Sequence, residues 1–430
     1  MKESMKKIII IILFLSISCK SQNCKDINFQ AIDFKGYKQV ILEENEDNII
    51  DGITYISFSP GGKYLLINNS YAGNIKIYDK LNGKLISNLR PSAELNDYFA
   101  INCLPINNYM GLTGEKAYML TKARILEEVT KQGHPENFSL IINDMAKDHR
   151  YCISFFESDS IIKTIAVFDL TEISYRGLGG TGIEAYLKID LSGNILDTTF
   201  IQPPQNDNIL SFPNPSFFLE YNGSYYQPST TMDKDIDENF EKTGVIVKID
   251  LKGNITDIAG KLAKEYCESK IYENLHHVFI RLNRMNELIY AEQLTLRINN
   301  LNRGSSFNLK NVTIKNDSGF KYLSDEQKMY PEKKIQWDSL VKLFDTYIEN
   351  LYVLENGNYM VHLKIFNENR EKQKMVIQEY TPDGCLVKEM RVDKNQGLDK
   401  IKFTCYCKEE DAVVFAVQDN NCYKLIFSKW

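Results

Sequence analysis

Histidine is scarce in this 430-residue chain, and so are the patterns that histidine chemistry needs. Its five copies, His134, His149, His276, His277 and His362, form no Ser-His-Asp or H-E-x-x-H arrangement. An excess of positive charge is missing too. The formal net charge is −6, so the chain has no electrostatic footprint for nucleic acid, and that class of partner is set aside. Beyond the first residues, no apolar run is long enough for a transmembrane helix. Cysteine density is low: the nine copies are scattered, unlike a disulfide scaffold. Cys405 and Cys407 sit two apart, which in a strand puts both on one face, and no His or second Cys pair lies at zinc-ligand spacing. They read as buried core thiols. No metal site, cofactor or catalytic residue is expected.

The most informative stretch that is present comes first. Lys6 and Lys7 precede an unbroken apolar run from Ile8 to Leu15, and Ser16-Ile17-Ser18-Cys19 follows. A basic start, a short apolar stretch and small residues before a cleavage point make a secretory signal, too short to span a bilayer. The cysteine after Ser18 resembles the lipobox of bacterial lipoproteins, although Leu15 lies one position further from Cys19 than the commonest pattern. That resemblance implies a cleaved signal peptide over 1–18, a lipidated tether over 19–30 that begins at Cys19, and a domain over 31–430. Loss of 1–18 removes three lysines and one glutamate, which takes the charge from −6 to −8. The expected location is outside the cytoplasm, anchored to a bacterial membrane through lipidated Cys19, on the periplasmic or outer-membrane side. The bilayer is then the first partner, because multiple acyl chains anchor stably where one does not.

The rest of the chain repeats one theme: a short apolar strand, an Asp/Asn/Gly turn, then another strand. Ala185-Tyr186-Leu187-Lys188-Ile189-Asp190-Leu191-Ser192-Gly193-Asn194-Ile195 is matched by Val245-Ile246-Val247-Lys248-Ile249-Asp250-Leu251-Lys252-Gly253-Asn254-Ile255, and Val376–Leu386 is a third copy. Such hairpin units every 40–60 residues or so indicate an all-β fold, a β-propeller with four antiparallel strands per blade. Seven candidate blades are counted, near 53–90, 97–130, 150–200, 210–258, 274–318, 348–393 and 400–430. The second is the weakest, since 123–129 reads equally as helix, so six blades is the alternative. Ring closure is most economical if the early strand Tyr37–Leu42 completes the last blade, because closure removes open edges. A short helical insertion is expected near 323–350, where Trp337, Leu340, Val341 and Phe344 recur at i, i+3, i+4 and i+7.

Taken together, the lipobox, a body of about 400 residues and the Lys-Ile-Asp-Leu-x-Gly-Asn hairpins resemble the β-propeller lipoproteins of Bacteroidetes, several of whose families are domains of unknown function. The resemblance implies fold and envelope location, and it transfers no catalytic residue.

Other motifs are weighed one by one. Gly177-Leu178-Gly179-Gly180-Thr181-Gly182 matches G-x-G-x-x-G, but it runs into a strand-like segment rather than a helix, so it reads as an inter-strand loop. Asp190 and Asp250 precede Gly turns and are expected to brace hairpins. His276-His277 followed by Arg281 is the densest titratable cluster. Adjacent strand residues face opposite sides, so one histidine at most points to the channel, and these three are the candidate channel or face residues. Clustered aromatics, Phe217, Phe218, Tyr221, Tyr225 and Tyr226, read chiefly as packing. Two functions follow. One is an anchored envelope protein whose propeller binds a protein partner or a small ligand. The other is a propeller enzyme, a glycan hydrolase or lyase or a metal-dependent lactonase, which requires carboxylates or a carboxylate and a His to converge at the channel mouth.

Overall fold

Burial in the ring is continuous where a strand lies between two neighbouring blades, and this explains why its sequence loses alternation. Tyr64–Asn69 is buried at five of six positions and Leu288–Glu292 at all five, whereas Ile195–Phe200, at an outer edge, is buried at none. A strand covered on both faces selects a continuous apolar run such as Leu65-Leu66-Ile67, and a strand with one face in solvent does not.

The computed structural model describes residues 28–31, 37–45, 48–69, 73–91, 130–131, 149–168, 183–201, 211–213, 216–231, 244–261, 277–310, 346–366, 372–393, 396–419 and 422–430. Their strands form six sheets of four or five strands. Blade 1 covers 53–89, blade 2 149–200, blade 3 211–259, blade 4 278–308, blade 5 346–393, and blade 6 401–429 together with Lys38–Ile41. Each blade is built on an antiparallel meander whose first strand lies at the ring axis; in blade 3 that first position is shared by Ser211–Pro213 and Leu219–Tyr221, both paired with Ser224–Thr231. Thus Ile53–Phe58 packs against both His149–Phe156 and Ile401–Cys407, and Val278–Leu282 packs against Thr346–Val353. Apolar clusters are shared across the blade boundaries: Ile153 and Tyr186 with Phe218 and Val247, Val245 with Ile280, and Met375 and Ile377 with Val413 and Phe415.

The ring has six blades, not seven. Blades 1 and 2 are bonded directly to each other, which leaves no place between them for a blade drawn from 97–130. Tyr151 N–H donates to Gly73 O at 2.9 Å, Asn68 Nδ2 to Ser154 O at 3.1 Å, and Phe156 N–H to Ser57 Oγ at 3.2 Å. Apart from residue 130, the segment 97–130 lies outside the described residues. In the span 323–350, residues 346–350 are not an insertion but the start of strand Thr346–Val353, and the Trp337–Phe344 stripe lies outside the described residues. The Gly177–Gly182 loop lies outside them too, and the segment after it is the expected strand, Ile183–Asp190.

Closure follows the expected route. Lys38–Ile41 pairs antiparallel with Cys422–Lys429, in the register Lys38↔Phe427 to Ile41↔Lys424. Glu44 then ties the two sides together: Tyr423 N–H donates to its Oε2 at 2.8 Å and Ile50 N–H to its Oε1 at 2.9 Å. An additional strand, Asn28–Ala31, runs parallel to Leu386–Asp393 on the outer edge of blade 5, so sheet pairing already begins within the stretch read as tether. The repeated hairpins are braced as expected. Asp190 Oδ1 accepts the N–H groups of Ser192 and Asn194, at 2.8 and 2.9 Å, and Asp250 Oδ1 accepts those of Lys252 and Asn254, both at 2.9 Å. The Asn194 and Asn254 side chains also bond these carboxylates, and that interaction leads the lowering of both pKa values. Gly253 holds φ at +86° in the second turn, and a Cβ there would lie 1.6 Å from Phe200 O.

Candidate functional site

The first strands all end at the same ring face, and a cavity of about 310 Å³ opens there on the axis. Its lining comes from blades far apart in sequence: Tyr55 from blade 1, Arg281 from blade 4, Tyr352 from blade 5, and Tyr406, Lys408 and Glu409 from blade 6. Strand alternation explains the selection. Ile280, Leu351 and Cys405 are buried in blade packing, so the residues that follow them, Arg281, Tyr352 and Tyr406, turn to the other side. All three are half-buried.

An aromatic network surrounds the axis. Phe217 of blade 3 stands between Tyr55, Phe155 and Arg281, with ring centroids 6.4 Å from Tyr55 and 6.2 Å from Phe155. The Arg281 guanidinium lies 4.4 Å from the Phe217 centroid and 5.5 Å from that of Tyr352, two cation–π contacts. Tyr352 and Tyr406 follow at 6.2 Å. Arg281 Nη1 donates to Ile280 O at 2.7 Å and Nη2 to Asn350 Oδ1 at 3.1 Å. Both acceptors are neutral.

Behind Tyr352 lies a buried polar network. The Tyr352 ring centroid is 5.1 Å from that of His362, whose Nδ1 bonds Thr404 Oγ1 at 2.8 Å. Thr404 Oγ1 also reaches Glu349 Oε2 at 3.5 Å, and Glu349 is paired with Lys364. Burial, with Lys364 adding to it, drives the His362 pKa down to about 3, so this imidazole is neutral at physiological pH. Burial likewise raises the Tyr352 and Tyr55 phenols, against the opposing pull of Arg281, and both remain protonated donors.

Cys405 and Cys407 are buried free thiols in the core shared by blades 6 and 1. Burial pushes Cys407 up to about 12, although Lys80 Nζ lies 3.7 Å from its sulfur, so it is no thiolate nucleophile. Among the described residues, no group of three or more His, Cys, Asp or Glu side chains is arranged to hold a metal ion.

The residues singled out in the sequence separate. Arg281 lines the cavity. His277 precedes the first strand of blade 4, at its opposite end, and its carbonyl accepts Gln293 N–H at 2.9 Å. His276 and Cys19 lie outside the described residues. Phe218 and Tyr225 belong to the core, while Phe217 belongs to the axis. Sequence reading missed Tyr55, Phe155, Tyr352 and Tyr406. A signal for part of this set exists once blades are aligned on their first hairpin. Phe155, Arg281 and Tyr352 each stand two residues before the residue whose N–H closes that turn, namely Glu157, Asn283 and Leu354.

No family model matches the chain, and no curated protein matches it. Solved structures do. A member of the DUF4221 family from Bacteroides vulgatus aligns with a TM-score of 0.51 at 11% identity, over 91% of this chain and 96% of its own. A Bacteroides fragilis protein named as exported gives 0.48 at 10%, over 93% and 98%. A Bacteroides caccae protein of unknown function gives 0.38 at 8%, over 83% and 96%. These three structural neighbours are Bacteroides proteins of unknown function, and the likeness is one of fold.

Proposed function

We propose that this chain is an exported, lipid-anchored envelope protein that uses its propeller as a binding module, with its ligand held in the axial cavity. The cavity carries the reading: aromatic walls and a few polar groups converge there from four blades, the usual make-up of a ligand site. Hydrolysis by paired carboxylates has less support at this place. Among its described lining residues Glu409 is the one carboxylate and none is a histidine, and His362 behind it is buried and neutral.

Export and anchoring rest on the Lys6-to-Cys19 segment. The test is metabolic labelling with an alkyne fatty acid followed by membrane fractionation. The native chain is expected to take up label and sediment with membranes, and Cys19→Ser to lose both properties. A Cys19→Ser chain that stays in the membrane fraction overturns the anchor. The binding reading is tested by crosslinked pull-down and ligand-detected NMR on the full chain, with Tyr352→Ala as comparison. Capture or ligand signals lost in that variant place the function in the cavity, and signals indifferent to it move the function elsewhere.

A further inference from the structure

We propose that the axial cavity takes a small carboxylate borne on a ring, either an acidic monosaccharide or an aromatic acid, with Arg281 as the group that grips the carboxylate. This rests on the binding reading above and names the chemistry of the same site. Among the described residues, Arg281 is a charge held in place without a paired carboxylate. Two of its five N–H donors have a partner there, and those partners are a carbonyl and an amide oxygen. Two other arginines are neutralised by a neighbouring carboxylate: Arg303 pairs with Glu287 at 2.7 Å, and Arg391 pairs with Glu389. Keeping a guanidinium half-buried with neutral partners costs free energy that an arriving anion recovers.

The geometry also fixes how the anion is met. Cation–π contacts with Phe217 and Tyr352 and the bonds to Ile280 and Asn350 together hold the guanidinium in one place. Three donors remain for a carboxylate, and a planar fork with defined orientation matches two carboxylate oxygens better than a point charge does. Among the described residues, the other charged groups in the lining are Lys408 and Glu409, which offset each other. Glu409 accepts the Cys407 thiol at 3.4 Å, and Lys408 reaches Glu355 at 3.7 Å on the exposed rim. Arg281 therefore decides the sign of the cavity.

Size and walls narrow the class further. A volume of about 310 Å³ accepts one substituted ring and excludes an oligomer. Tyr55, Tyr352 and Tyr406 offer faces on which a pyranose or a planar ring stacks. The Tyr406 hydroxyl already donates to Asp411 Oδ1 at 2.7 Å and that of Tyr352 to Thr404 O at 3.5 Å, so these two phenols meet a ligand as acceptors.

The test is isothermal titration of the full chain in detergent with galacturonate and benzoate, each beside its neutral isostere, galactose and benzyl alcohol. At least one acid is expected to bind about tenfold or more tightly than its isostere, and which acid does so separates sugar from aromatic sources. Arg281→Met should remove that difference and leave the isostere's affinity in place, while Arg281→Lys restores part of it. Unchanged circular dichroism shows that both variants fold. Equal affinity of acid and isostere, or an acid preference that survives Arg281→Met, overturns the assignment to Arg281 and leaves the cavity as a binding site. Absence of binding by all four probes at millimolar concentration overturns the ring-carboxylate class, and the pull-down then judges the binding reading separately.

Discussion

A neutral histidine behind an aromatic wall gives the molecule a defined response to acid. His362 is buried, bonded to Thr404 and close to Lys364, with a pKa lowered from 6.5 to about 3. The unfolded chain takes up this proton below about pH 6.5, and the folded chain does not until about pH 3. The stabilisation is therefore complete above pH 6.5 and is lost as pH falls towards 3. From pH 6.5 to 5 the linkage relation sets the loss at roughly 2 kcal/mol. Carboxylates such as Asp190 and Asp250 titrate lower, so the upper part of this range belongs to the histidines, and a variant at position 362 separates this one from the rest. Urea midpoints measured between about pH 7 and pH 5 are expected to fall for the native chain. His362→Gln keeps a partner for Thr404 and should flatten the slope in that window. A slope unchanged in His362→Gln assigns the acid response to another group.

Closure lends single residues a reach beyond their own blade. Gly83 O accepts the Glu43 N–H at 2.9 Å, just after the closing strand Lys38–Ile41, and a Cβ on Gly83 would lie 1.9 Å from Ile41 O. Gly83 is also at φ +72°. Gly304, at φ +61°, meets nothing within 4 Å. Gly83→Ala is expected to cost about 2 kcal/mol or more, through clash and backbone strain together, against about 1 kcal/mol for Gly304→Ala from strain alone. Urea denaturation of both variants checks the difference, and equal losses would remove the closing strand from the account. The same contrast shows what a sequence reveals of such a ring. Hairpins such as Lys248-Ile249-Asp250-Leu251-Lys252-Gly253 are local, so strand, turn and propeller class could be read directly. The blade count depends on which strands are neighbours, and the bond from Tyr151 N–H to Gly73 O spans a segment whose own pattern looked blade-like. The cavity was the least legible part. Tyr55, Arg281, Tyr352 and Tyr406 meet only after the ring closes, and Arg281 drew notice solely because it follows two histidines.

At the scale of the molecule, the direction of the first strand decides which face an anchored ring turns to the bilayer. Strands in blade 5 alternate from Thr346–Val353 outward to Leu386–Asp393, which therefore runs opposite to the axial strand. Asn28–Ala31 is parallel to that outer strand, beginning with Asn28 opposite Lys388. Its start thus lies at the face where Tyr352 and the other axial residues open the cavity. Asn28 lies nine positions after Cys19, a reach of at most about 30 Å. An acylated Cys19 would then hold the ring by the rim of its cavity face, with the mouth turned towards the lipid surface. Lys408 is exposed on that face, and Asp399 is exposed on the opposite one, just before Ile401–Cys407 begins. A dye at position 408 on the vesicle-bound protein is expected to transfer energy to an acceptor lipid more efficiently than the same dye at 399. Equal or reversed transfer would turn the mouth away from the bilayer. The expected order has a consequence for the ligand: only molecules small enough to enter the gap between ring and membrane reach Arg281, which agrees with a cavity of about 310 Å³ and argues against a polymer as its occupant.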